Sequence, residues 1–238
     1  MPLNIWGQPV GDSLPDWQPR PTPQRRTLEG NWCRLIPLQQ EQASDLYHAF
    51  SQASDDSHWT WLPVEPPRDV DVFARQLAQA VATDDPLHFT VMDNASQRPV
   101  GTLALMRIAP QHGVMEVGHV HFSALMQRSP LSTEAHWLLM QYVFNELGYR
   151  RYEWKCDSLN TPSRRAAQRL GFQFEGVFRQ ALVYKGRNRD TAWYSIIDSE
   201  WPRLNTAFQL WLSPANFDEQ GRQRQTLEAL RQRSPTGR

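Results

Sequence analysis

The alternation running from residue 131 to residue 197 limits the possible folds more than any other part of the sequence. Leu131, Ala135, Leu138, Leu139, Tyr142 and Val143 recur at helical spacing, and Gly148 follows them. The spacing predicts an amphipathic helix over 131–147, stopped by a residue that accepts positive φ. Residues 151–156 read as a strand. Asn160 is a good N-cap for a short helix ending at Leu170, with Gly171 just beyond it. Strand patterns return over 172–184 and 191–197.

Upstream, residues 31–37 read as a strand. Ala43, Leu46, Tyr47 and Phe50 predict a helix over 41–51, and Val72, Phe73, Leu77 and Ala80 another over 69–82. Residues 89–92, 100–108 and 115–122 are strand-like. The turn formers Asp93-Asn94 and Pro110 to Gly113 between them favour antiparallel neighbours. The order implies an α+β fold: a mixed, largely antiparallel sheet of about 6–7 strands flanked by helices.

The termini differ from this body. Pro9, Pro15, Pro19, Pro21 and Pro23 rule out a helix and predict an extended arm over 1–27, with Trp6 and Trp17 packing it on the body. Residues 28–200 form the expected domain. Within 201–238 a helix that starts at Glu200 runs to Leu212, and a polar, mobile tail is expected from Gly221 onward. Lys plus Arg equals Asp plus Glu at 25 each. A net charge of zero argues against nucleic acid or an anionic membrane as the main partner. Cys33 and Cys156 are the only cysteines, with no C-x-x-C pair. Residues 1–17 lack a signal-peptide pattern, and no run reaches the ~18 apolar residues of a membrane span. The expectation is a cytoplasmic protein, monomer or homodimer.

Two helices follow strands and expose N-termini, near Leu131 and at Asn160. Such ends carry free N–H groups and partial positive charge, so they can hold anions, although most bind only water. Gln127-Arg128-Ser129-Pro130-Leu131-Ser132-Thr133-Glu134-Ala135 resembles the pyrophosphate loop of GNAT acetyltransferases. Asn160-Thr161-Pro162-Ser163, then Leu170-Gly171-Phe172 and Glu175-Gly176, is similar to that family's N-x-x-S…L-G-F-x-x-E-G pattern. The resemblance covers about residues 28–200. It is strongest to the branch containing the ribosomal-protein N-terminal acetyltransferases, and to an uncharacterised subgroup of it at residues 153–156 and 178–193.

The resemblance implies acetyl-CoA as co-substrate, an amine as acceptor and no metal. It assigns Gln127, Arg128, Ser129, Leu131, Ser132 and Thr133 to the diphosphate. Pro130 replaces the usual glycine and removes one N–H donor, or simply starts the helix. Asn160 would meet the pantetheine arm, or serve only as a cap. Arg164, with Arg165, is a candidate for the 3′-phosphate.

Direct attack of an amine on a thioester needs a base, an oxyanion donor and an acid for the thiolate. The family's usual tyrosine acid is replaced by Ala167, so the resemblance points to Ser163 as acid, or to Ser163 satisfying only a backbone group. Glu175 and Glu116 are candidate bases, and cross-strand pairing is the alternative for both. His119 and His121 share a strand face; lacking a third ligand, they suit the acceptor cleft better than a metal. Trp59 or Trp61 can wall that cleft. A non-catalytic acyl-CoA-binding module on the same fold is the alternative function. A structural interaction protein is a third.

Overall fold

The computed structural model of the chain describes residues 1–127 and 129–233. Arg128 and the last five residues of the polar tail lie outside the described residues. The strands are β1 (Leu28–Glu29), β2 (Cys33–Pro37), β3 (Leu87–Asp93), β4 (Pro99–Ala109), β5 (Val114–Phe122), β6 (Arg151–Asp157), β7 (Gln173–Tyr184) and β8 (Arg187–Ile197). They form one eight-stranded sheet in the order β1-β2-β3-β4-β5-β6-β8-β7. The expected sheet of six or seven strands is therefore one short. The extra strand, β1, has two residues and carries no period to read.

Connection length explains the pairing. Short turns join β3 to β4, β4 to β5 and β7 to β8, and each pair is antiparallel. β5 reaches β6 through a helical crossover, and this pair alone is parallel among the described strands. The crossover is α3 (Pro130–Gln141). The single helix expected over 131–147 continues past Gln141 as one π-helical turn, Tyr142–Glu146, ahead of Gly148 at φ +67°.

Two helices, α1 (Ala43–Phe50) and α2 (Val70–Val81), cover one sheet face through Leu46, Phe50, Phe73 and Leu77. The other face carries α3, α4 (Thr161–Leu170), α5 (Trp201–Leu212) and α6 (Leu227–Arg233). There the inward residues of β5, β6 and β8 (Met115, Val117, Tyr152, Trp154, Tyr194 and Ile196) join the main core. A buried Glu134 on α3 ties this layer to the sheet. Its carboxylate accepts the N–H groups of Asn31, Trp32 and Cys33 at 2.9, 2.7 and 2.7 Å, which fixes the turn between β1 and β2.

α6 corrects the expected mobile tail. Leu227 and Leu230 are buried, and Arg203 on α5 donates to the Arg231 carbonyl. Two leucines three apart are enough to dock one short helix, although they hardly mark a period in a polar run. The arm divides. The Trp17 indole N–H donates to the Gln111 carbonyl at 2.8 Å, and its ring occupies the space left by Gly113, where a Cβ would come within 2.5 Å. Trp6 does not pack as expected and is 77% exposed. Among the described residues no helix is long and apolar enough to cross a membrane.

Candidate active site

β5 and β6 pair in register from Val114↔Arg151 to Val117↔Trp154 and then part. β5 continues to Phe122, while β6 stays with β8 as far as Asp157↔Thr191. The cause is a bulge. Thr102 faces His121 and Ala104 faces Gly118, so β5 carries one residue more than β4 there, with His119 at φ +48°. A bulge bends its strand and re-aims the side chains beyond it. The gap opens at the carboxyl ends of two parallel strands, where crevices of open sheets bind ligands. α3 and α4 both begin at this end.

The two helix starts differ. No side chain caps α3. The Ser129 hydroxyl donates to the Met126 carbonyl at 2.8 Å and the Ser132 hydroxyl to the Ser129 carbonyl at 3.4 Å. Leu131 and Ser132 hold first-turn positions whose N–H groups have no intrahelical acceptor. Pro130 is the first helical residue, where its missing N–H matters least. The Thr133 hydroxyl turns inward and accepts from Arg169 at 2.9 Å. Gln127 is exposed at the end of the preceding 3₁₀ turn.

At α4 the expected cap is present: Asn160 Oδ1 accepts the Ser163 N–H at 3.0 Å, and Gly171 closes the helix at φ +104°. Ser163 Oγ accepts the Trp154 indole N–H at 3.0 Å, which anchors it to the last residue of β6 that pairs with β5. Arg164 folds back, donating to the Tyr194 hydroxyl at 3.1 Å and the Ser158 carbonyl at 3.2 Å. Ala167, in the place of the usual tyrosine, is fully buried.

The two candidate bases lie on the opposite sheet face, Glu116 on β5 and Glu175 on β7, with β6 and β8 between them. Glu116 is 6% exposed and one residue before the strands part. Burial pushes its pKa up, against the pull of Lys155 and Arg107. Glu175 lies on the edge strand β7, at the bulge between Phe174↔Tyr194 and Gly176↔Trp193 and two strands away from β6. Arg151 grips both its oxygens at 2.7 and 2.5 Å, and the Ser195 hydroxyl donates to it at 2.6 Å. Arg151 holds its pKa down at about 2, which makes it a weak proton acceptor. The structure thus brings Asn160, Ser163 and the α3 start to the mouth of the gap with Glu116 nearby, and leaves Glu175 outside.

The histidines separate. His119 meets the His88 ring edge-on at 5.0 Å, while His121 stacks on Phe50 at 3.7 Å and touches Trp59 at 4.4 Å. Burial lowers the His121 pKa to about 3, so its ring is neutral. Trp59 is the tryptophan that reaches this wall, and its carbonyl accepts from Lys185 at 2.8 Å. Among the described residues no group of three His, Cys, Asp or Glu could hold a metal. Sequence reasoning missed Lys155, which bridges Glu116 and Glu153. The available signal was the Glu153, Lys155 spacing, which puts both on one strand face. It also missed the Tyr184 hydroxyl bonded to Asp157 at 2.9 Å, for which no local signal exists.

The family model described as "Acetyltransferase (GNAT) domain" matches residues 33–173. The chain belongs to the GNAT acetyltransferase family. A crystal structure of a GCN5-related N-acetyltransferase from Brucella melitensis is 51% identical, covers 92% of this chain and 100% of its own, and superposes with a TM-score of 0.90. A structure described as a probable GNAT-family acetyltransferase from Chromobacterium violaceum ATCC 12472 is 41% identical, covers 82% and 98%, and has a TM-score of 0.76. The uncharacterized N-acetyltransferase YnaD of Bacillus subtilis is 27% identical over 118 residues, covering 46% of this chain and 68% of YnaD. The protein is thus an acetyltransferase.

Proposed function

We propose that this GNAT protein transfers the acetyl group of acetyl-CoA directly to a primary amine, either a protein N-terminus or a small amine. The observation that carries the proposal is the gap beyond Val117 and Trp154, flanked by the uncapped start of α3 and by Asn160 and Ser163. The Leu131 and Ser132 N–H groups suit a diphosphate, with Gln127, Ser129, Thr133 and Arg128 in or beside that loop. Asn160 and Arg164 flank the second helix start. Microcin C7 self-immunity acetyltransferase MccE, a fold neighbour with a TM-score of 0.62 and 20% identity, is described in complex with acetyl-CoA and AMP. That description favours the same co-substrate here.

The amine nitrogen attacks the thioester carbonyl carbon, the C–S bond breaks, and the sulfur leaves as a thiolate that takes up a proton. Glu116, directly or through a water, takes the proton that the amine loses. Ser163 gives a proton to the sulfur. Its oxygen accepts from Trp154, and its own O–H, beside the Cys156 thiol, is the proton it gives. The N-x-x-S segment favours an acceptor like those of the ribosomal-protein branch, an exposed chain N-terminus. Two free, buried cysteines suit a cytoplasmic setting.

Thermal shift with acetyl-CoA, followed by thiol release across a panel of N-terminal peptides and small amines, tests the proposal. A raised Tm and turnover on at least one amine are expected. Binding without turnover across the panel would instead favour a non-catalytic acyl-CoA-binding module. No binding would sink both.

A further inference from the structure

Lys155 is the first residue of β6 beyond the last pair with β5. Its side chain is only 6% exposed. The ammonium donates to Glu116 Oε2 at 2.8 Å and lies 2.8 Å from Glu153 Oε2. It also sits 3.7 Å from the centroid of the Trp193 ring on β8. An ammonium has three N–H donors, and here two carboxylates and one aromatic face surround it. Lys155 therefore spans the strands where they begin to part, and it fixes Oε2 of Glu116 while Oε1 accepts no hydrogen bond among the described residues.

We propose that Lys155 is a positioning residue for acetyl transfer, holding Glu116 ionised and aimed at the mouth of the gap between β5 and β6. The proposal rests on Glu116 acting as the base. Every charged group around Glu116 bears on it. Arg107 on β4 lies at 3.6 Å, Lys155 at 2.8 Å, and Glu153 on β6 opposes them. The buried Tyr152 phenol also feels its charge. Burial raises the Glu116 pKa, and the Lys155 cation is the main counterweight. A lone buried carboxylate would take up a proton and lose its function as a base. Arg151 holds Glu153 from its other side at 2.8 Å, so the second carboxylate does not depend on Lys155 alone.

The sign is fixed. A base must be ionised, so turnover rises with pH through its pKa. Removing the cation favours the protonated form and raises that pKa. The first test is ¹³C NMR of the protein labelled at glutamate Cδ, with the Glu116 signal assigned by its absence in Glu116→Gln. In Lys155→Met the Glu116 midpoint should move up by about 1 pH unit or more, while Lys155→Arg should move it far less. If Lys155→Met fails to fold, Lys155→Met with Glu153→Gln removes one charge of each sign and reads the same midpoint against Glu153→Gln alone, where it should again move up. The second test is the pH profile of thiol release with the best amine of the panel, whose acidic limb should shift by the same amount. An unmoved Glu116 midpoint overturns the role of Lys155. Full turnover in Glu116→Gln overturns the base instead, whatever the midpoint does.

Discussion

At the scale of single residues, Ser163 carries two separable loads. Its N–H bonds to Asn160, and its oxygen receives the Trp154 indole. Ser163→Ala keeps the first and removes the second. If Ser163 protonates the thiolate, kcat should fall by about 10²-fold while the KM for acetyl-CoA changes little. The orphaned indole N–H should cost about 1 kcal/mol of stability. Steady-state kinetics and urea denaturation read the two effects independently, and an unchanged kcat would remove Ser163 as the acid. Glu175 gives a contrasting prediction. Arg151 depresses its pKa to about 2, from an ordinary value of 4.5. The sign follows from linkage: the stabilisation is present above the ordinary value and is lost as pH falls through the depressed one. Glu175 is partly exposed, so screening keeps the effect small. Glu175→Gln should therefore lower Tm at pH 7 by more than at pH 3, and it should leave turnover at neutral pH nearly intact. A Glu175→Gln enzyme with no turnover would overturn its exclusion from catalysis.

At the scale of elements, α4 and its boundaries decide how the site is presented. Gly171 sits at φ +104°, and an added Cβ would come within 2.7 Å of Leu204 on α5. Gly171→Ala should destabilise the protein by about 1–2 kcal/mol from backbone strain, with the contact adding to it. Chemical denaturation at pH 7 measures this, and a change below a few tenths would contradict the strained-cap account. Both ends of α4 were legible in the sequence, because an Asn cap and a glycine stop act on local backbone groups. The bulge at His119 was not legible. It shifts which face later residues occupy, and nothing in the side-chain pattern marks the inserted residue. The ladder Arg107–Glu116–Lys155–Glu153–Arg151–Glu175 was hidden for another reason. Arg151, Glu153 and Lys155 share one face of β6, but Arg107, Glu116 and Glu175 come from β4, β5 and β7, and only the register Glu116↔Glu153↔Ser195 brings those to them. Glu175 was a candidate base by its match to the family's L-G-F-x-x-E-G pattern, and its partner Arg151 on a different strand could not be read from that pattern.

At the scale of the whole molecule, the segment after α5 belongs to the helical layer behind α4. Phe217 packs edge-on against Trp32 at 5.5 Å and Trp211 at 5.3 Å. Asn216 ties the Trp211 carbonyl to residue Gln225, donating to both carbonyls and accepting the Gln225 N–H. α6 then lays Leu227 and Leu230 into the same core that contains Leu170 and Leu204. None of these groups is at the gap between β5 and β6, so their contribution should be to stability and to the rigidity of α4. Truncation after Leu212 exposes Leu170, Leu204 and Trp211 and removes two buried leucines, each worth about 1.5–3 kcal/mol. For a protein of this size each kcal/mol lowers Tm by about 2–4 °C, so a fall of roughly 6–15 °C is expected. Removal of residues 2–14 is the control, because Leu3, Ile5, Trp6 and Leu14 are exposed and the first anchor on the body is Trp17. That deletion should leave Tm within about 1 °C. If differential scanning fluorimetry showed both deletions to be equally silent, the tail would not support α4. If the truncated chain kept its Tm but lost thermal response to acetyl-CoA, the tail would instead contribute directly to co-substrate binding.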